Sequence, residues 1–209
     1  GIAEIFGPSF SGQFWQENVF NTGDFTNWGI YADIDFAITE RWNVIAGLRY
    51  SKDSKDFTWF IPETTFATAR PGVSNVIFPQ IDLSASDDWD KLTGRLVTSY
   101  KIFENQMLFA SYSTGYKSGG FDSLVPIDQS AGQQAFAPED SENLEFGYKA
   151  TLWDRVIANA SVYRLELDNL QISVESKPPG SPQAVPTIIN ENREIIGVEI
   201  ELYWHVIDE

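Results

Sequence analysis

The chain has 209 residues, no cysteine and a formal net charge of -16, so it offers no disulfide framework, no thiolate metal site and no cysteine nucleophile. It also lacks the basic footprint by which nucleic acid is held through its phosphates. Its 7 Trp, 8 Tyr and 15 Phe against a single Met favour strands, and with His205 its only histidine it cannot build a histidine triad or a multi-histidine metal site within itself.

In chain order, Gly1 arrives with neither an initiator Met nor a charged-then-apolar leader, so the amino end reads as processed or truncated. No run of about 18 apolar residues follows, which excludes a transmembrane helix of the usual kind but not strands that turn only alternate side chains to lipid. From Trp28 to Ile38 the even positions Trp28, Ile30, Ala32, Ile34, Phe36 and Ile38 share one face, with Tyr31, Asp33 and Asp35 on the other. Period two predicts a strand with one apolar face. After a break at Thr39-Glu40-Arg41, Trp42, Val44, Ala46, Leu48 and Tyr50 repeat the pattern against Asn43, Gly47, Arg49 and Ser51, which makes a hairpin.

The grammar returns twice more. Leu92, Gly94, Leu96, Thr98 and Tyr100 turn around Phe103-Glu104-Asn105-Gln106 into Leu108, Ala110, Tyr112 and Thr114. Leu144, Phe146, Tyr148 and Ala150 turn at Trp153-Asp154-Arg155 into Val156, Ala158, Ala160 and Val162. Beyond about Tyr163 the alternation blurs, which suggests a bulge. A last strand sets Ile196, Val198, Ile200, Leu202 and Trp204 against Gly197, Glu199, Glu201 and Tyr203, and the chain stops just beyond it, as at a cut.

The expected fold is all-β: about seven meandering antiparallel strands, several of about ten residues, the length a tilted strand needs to cross a bilayer. Tight turns alternate with long excursions at Lys52 to Asp90, Ser118 to Ser141 and Glu175 to Glu194. Strict segregation of this kind marks a transmembrane β-barrel of the bacterial outer membrane, turns periplasmic and loops outside. Trp28, Trp42, Tyr100, Tyr148, Trp153 and Trp204 fall near strand ends, where interfacial belts lie. Asp33, Asp35, Arg49, Arg95, Glu145, Lys149, Glu199 and Glu201 face the other way, toward a wet or plugged lumen. The competing architecture is a soluble antiparallel barrel or sandwich, whose polar faces would meet bulk water.

Several phrases then become familiar: Ala46-Gly47-Leu48-Arg49-Tyr50-Ser51, then Phe109 to Phe121 (FASYSTGYKSGGF), Phe136-Ala137-Pro138-Glu139, Glu142 to Lys149 (ENLEFGYK), and Gly197-Val198-Glu199-Ile200-Glu201-Leu202. In this order and spacing, from about Thr26 to Trp204, the chain resembles the TonB-dependent outer-membrane receptors. That resemblance implies a barrel of about 22 strands closed by an amino-terminal plug, energised by the TonB-ExbB-ExbD system through that plug and importing a scarce nutrient such as a ferric siderophore. Plug, TonB-contact segment and terminal aromatic strand are not found here, so residues 1–209 are expected to be an internal part of the barrel domain, with lipid as their outer partner. No cofactor and no enzymatic activity are expected.

The candidate ligand-binding residues are Arg49, Arg95 and Lys117, cations facing the lumen that could attract anionic chelates, together with Phe121 after the Gly119-Gly120 loop entry. The plainer reading has those cations paired with lumen carboxylates such as Glu145, and the glycines serving the backbone. Asp82, Asp87, Asp88 and Asp90 suggest hard-cation ligands, yet their spacing matches no EF-hand loop and a solvated loop is the simpler reading. Glu199 and Glu201 share a face as two carboxylates of an acid–base pair do, but lumen lining accounts for them. Two alternatives remain open: a passive outer-membrane channel or adhesin-type barrel, and a soluble carbohydrate-binding β-domain using exposed loop aromatics Trp59, Phe60 and Phe66.

Overall fold

A computed structural model describes residues 18–62, 80–123, 134–177 and 184–206. Seven strands follow one another in the chain: β1 (Phe20–Ala37), β2 (Trp42–Ile61), β3 (Ile81–Phe103), β4 (Gln106–Lys117), β5 (Glu139–Leu152), β6 (Val156–Ser176) and β7 (Val185–Trp204). They form one antiparallel meander in which each strand pairs with its neighbours in sequence. The fold expectation holds, and no helix among the described residues is long and apolar enough to cross a membrane.

The register shows why the period-two pattern builds this sheet. Phe36, Val44, Thr98, Ala110, Phe146, Val162 and Val198 form one row across all seven strands, and the next row reads Asp35, Ile45, Val97, Ser111, Glu145, Tyr163 and Gly197. Alternate rows therefore carry an apolar face and a polar one. The apolar side chains are bare: Ile30 is 67% exposed and Val198 71%. Water would not tolerate so broad an apolar surface, whereas lipid matches it.

The tight turns have local causes. Thr39 Oγ1 accepts the N–H groups of Arg41 and Trp42 at 3.2 and 3.0 Å, so its hydroxyl replaces ladder bonds at the first turn. At the β5–β6 turn, Trp153 and Asp154 adopt φ of 51° and 54°, and Arg155 N–H donates to Leu152 O at 3.1 Å. Positive φ at both central positions gives the primed geometry that suits the twist of a hairpin.

At the opposite end the strands outrun the expectation. Lys52 pairs with Asp90, and the ladder continues to Ile61 opposite Ile81. Most of that excursion is therefore a β-hairpin stem, and Asp82, Asp87, Asp88 and Asp90 lie on β3 instead of in a solvated loop. Likewise, Glu175 to Glu194 is largely ladder, ending at Ser176 opposite Val185. The irregularity expected near Tyr163 sits further on, where Asp168 and Asn169 oppose Asn192 between the pairs Leu167–Arg193 and Leu170–Glu191. Asn169 adopts φ 54° there, and its N–H donates to Asn192 Oδ1 at 3.0 Å.

Crossing a bilayer takes about ten residues per tilted strand, and β2, β3, β6 and β7 have 20, 23, 21 and 20. About half of each projects beyond the aromatic level marked by Trp28, Tyr50 and Tyr112. The buried cluster, Trp59, Ile61 and Ile81, lies in this projecting part. Of the loop aromatics on which the carbohydrate-binding alternative relied, Trp59 is fully buried while Phe60 is exposed; Phe66 lies outside the described residues.

Candidate functional site

On the polar face, Arg95 reaches across β2 from β3 to β1, with Nε and Nη2 each 2.9 Å from Asp33 Oδ1. Its partner is Asp33 on β1, and Glu145 lies two rows away on β5. Both side chains remain about half exposed, so screening leaves the pair weak. Arg49 has a different setting: its Nε–H donates to Ser51 Oγ at 3.0 Å, and its guanidinium lies over Gly29, where a Cβ would come within 2.9 Å of Nη2. Arg49 and Arg95 thus line one recess with Tyr31 and Asp33. Toward the turn end, Glu145, Lys149, Asn159, Glu199 and Glu201 line a second recess, and the Lys149 ammonium sits 5.2 Å from the Phe109 ring centroid.

Higher up, β4 leaves β3: the β3–β4 register ends at Arg95 opposite Ser113, and Thr114 Oγ1 accepts the Gly94 N–H at 2.9 Å in place of a ladder bond. Lys91 on β3 bridges to Asp140 Oδ2 on β5 at 2.6 Å. Beside them, burial pushes the Tyr116 phenol up to about 12, helped by the nearby carboxylates of Asp53, Asp90 and Asp140.

Above Lys117 the chain turns back as a strap, residues 118–123, over the face of the β2–β3 stem that carries its odd-numbered side chains. Lys55 Nζ donates to Gly119 O at 2.6 Å and lies 5.7 and 5.4 Å from the ring centroids of Phe25 and Trp89. Burial lowers the Lys55 pKa, with Lys117 adding repulsion and Asp53 opposing both. Phe121 stacks on Phe57 and meets Trp59 and Trp89 edge-on, and Trp59 Nε1–H donates to Asp122 O at 2.8 Å. Phe121 therefore belongs to an aromatic cluster, and Lys117 stands exposed beside it.

Arg49 and Arg95 come together on the wall, Lys117 and Phe121 at the strap, and the four do not form one cluster. Lys55, Trp89, Asp122, Gln171 and Asn190, which order the strap, were not singled out by sequence, because their partners lie on other strands. Among the described residues no group of three or more carboxylate or imidazole side chains is placed to hold a metal ion. The Asp82 to Asp90 stretch is dispersed along one strand.

Comparison with known proteins agrees with this architecture. Over 177 residues the chain is 27% identical to the Pesticin receptor of Yersinia enterocolitica, an alignment covering 83% of this chain and 23% of that protein. In fold it resembles the ferric yersiniabactin uptake receptor FyuA from Yersinia pestis, with a TM-score of 0.66 and 19% identity over 90% of this chain and 26% of that one. The copper transporter OprC superposes with a TM-score of 0.65 and 18% identity, covering 88% and 27% of the two chains. The chain thus spans about a quarter of the length of these proteins. Residues 3–207 match the family model described as TonB dependent receptor-like, beta-barrel, and with the bare apolar rows and charged inner wall this chain belongs to that family of bacterial outer-membrane receptors.

Proposed function

We propose that this stretch forms part of the wall and outer hairpins of an active transporter importing a scarce nutrient, a ferric siderophore, with energy delivered through TonB by way of a plug domain lying outside residues 1–209. The observation that carries the reading is the separation of faces: a largely apolar face runs across all seven strands, while the opposite face holds unequal charges around an accessible recess. A lumen lined in this manner suits a charged, hydrated cargo held in passage.

One of the proteins of like fold is described as a ferric yersiniabactin uptake receptor, which supports an iron chelate as cargo. The copper transporter of like fold shows that the architecture accommodates other metals. In this reading Arg49, Arg95 and Lys117 draw an anionic chelate inward along the wall, and Phe121 acts through the strap. The TonB-ExbB-ExbD system is the energy partner.

The test is accumulation of labelled ferric siderophore by cells carrying the full-length receptor, with and without a functional TonB system. TonB-dependent accumulation is expected. Equal uptake in both strains would favour a passive channel, and no uptake by a correctly inserted barrel would move the cargo to another nutrient.

A further inference from the structure

The sheet has a gap at its upper end. β4 ends at Lys117 and β5 begins at Glu139, while β3 runs on to Ile81 and β6 to Ser176. Between β3 and β6 lie three strand spacings, about 14 Å at about 4.8 Å each, and among the described residues no strand fills them at this height. The β3 residues beyond Arg95 have ladder partners on the β2 side only, which would leave a row of backbone groups open at a sheet edge.

The strap occupies that gap and touches both sides. Toward β1–β3 it is held by Lys55 and Trp59 as described, and by Asn21 Nδ2, which donates to Ser123 O at 2.6 Å. Toward the other hairpin, Gln171 Nε2 on β6 donates to Ser118 O at 2.9 Å, and the Ile188 N–H on β7 donates to Asp122 Oδ2 at 3.0 Å. Gly120 and Phe136 exchange backbone bonds at 3.3 and 2.8 Å, so the returning segment 134–138 joins the filling. Asn190 completes it through Ala137, accepting that residue's N–H at 3.0 Å and donating to its carbonyl at 3.2 Å.

Asp122 is the residue at which the two sides meet. Its carbonyl takes the Trp59 indole of β2 and its carboxylate takes the Ile188 amide of β7. We propose that Asp122 is a positioning residue that locks the β2–β3 and β6–β7 hairpins together across the gap, so that the outer hairpins bordering the lumen move as one body. Half-burial raises the Asp122 pKa and the Ile188 N–H opposes that rise, in keeping with a carboxylate engaged by protein instead of water. The coupling does not depend on which cargo is carried or how import is energised.

The test uses the full-length receptor in outer membranes, with spin labels at Ser86→Cys and Glu175→Cys, exposed sites on β3 and β6, and double electron–electron resonance to read the distance distribution. The parent protein is expected to give one narrow distribution. In Asp122→Ala the distribution broadens, and exchange of the Ile188 amide rises on the order of tenfold, the size of one lost hydrogen bond. Asp122→Asn, whose amide oxygen accepts the same N–H, keeps both readouts at the parent values. If Asp122→Ala does not assemble, Trp59→Phe is read in its place, since it removes the indole donor and keeps a ring in the cluster. A distribution in Asp122→Ala or Trp59→Phe as narrow as the parent's, or one in Asp122→Asn as broad as in Asp122→Ala, overturns the proposal.

Discussion

Arg95 and Asp33 meet across an intervening strand because the residue between them in the row is Gly47, whose missing Cβ is what lets the carboxylate and guanidinium close. A side chain at that position would strike the Asp33 carboxylate. Gly47→Val is therefore expected to separate the pair and to destabilise the barrel by about 1–3 kcal/mol through overpacking. Arg95→Ala and Asp33→Ala should show a coupling of only about 0–1 kcal/mol, because both groups are half exposed. Denaturant unfolding of detergent-solubilised receptor, with a double-mutant cycle for the Arg95–Asp33 pair, separates the two effects; a coupling larger than the overpacking cost of Gly47→Val would contradict this account.

Arg49 has no carboxylate in its hydrogen bond, so its charge is the more available of the two wall arginines. Under the proposed function, Arg49→Glu is expected to slow uptake of an anionic ferric chelate on the order of tenfold at low salt, with the difference shrinking as ionic strength rises. Arg95→Glu should instead be repaired by Asp33→Arg, which restores the pair in reverse. Uptake rates measured at two salt concentrations decide it, and an Arg49→Glu rate equal to the parent's at low salt would remove Arg49 from the cargo path.

Tyr116 carries a phenol that is harder to ionise in the folded protein than in the unfolded one: about 12 against 10. A folded pKa above the unfolded value means that the contribution is complete below pH 10 and is lost as pH rises from 10 through about 12. The stability of the parent receptor should fall over that window, and Tyr116→Phe should flatten the profile there. Phenolate absorbance of the parent minus that of Tyr116→Phe should show this tyrosine titrating late. A difference spectrum already complete near pH 10 would refute the assignment.

Gly119 and Gly120 differ in what a methyl group would meet. At Gly119 it would strike the Phe136 carbonyl and come within 2.6 Å of the Trp89 ring; at Gly120 it would come within 2.8 Å of the far end of the Phe136 ring, which can swing aside. Gly119→Ala should cost about 1–3 kcal/mol, and Gly120→Ala clearly less. Proteolysis of the intact receptor at the outer hairpins reports the order, and equal susceptibility would show that the strap yields at both positions.

The rows that face lipid were legible from sequence because bilayer and lumen impose opposite polarity on alternate residues; Ile34, Ala46, Leu96, Tyr112 and Leu144 fall into line without knowledge of any contact. The projecting stems were missed for a physical reason. Beyond Tyr50 the outer face meets water and the inner face meets the strap, so the apolar phase passes from even positions to odd ones: Phe57, Trp59 and Ile61 on β2, Ile81, Leu83 and Ala85 on β3. At the crossover, Lys52-Asp53-Ser54-Lys55-Asp56 reads as a polar loop although it is continuous ladder. Trp59 owes its burial to Phe121, and Asp122 its role to Ile188; pairings so distant in the chain leave no periodic trace.

The strap that fills the gap between β3 and β6 also sets the smallest part of this receptor that can be exchanged between relatives. A chimera that transplants the β2–β3 stem alone brings new side chains against a foreign Phe121 and Asp122, and one that transplants the β4–β5 connection alone loses Lys55, Gln171 and Asn190 as anchors. Grafting a new specificity onto this barrel therefore calls for three discontinuous segments to travel together, although each looks like an independent loop.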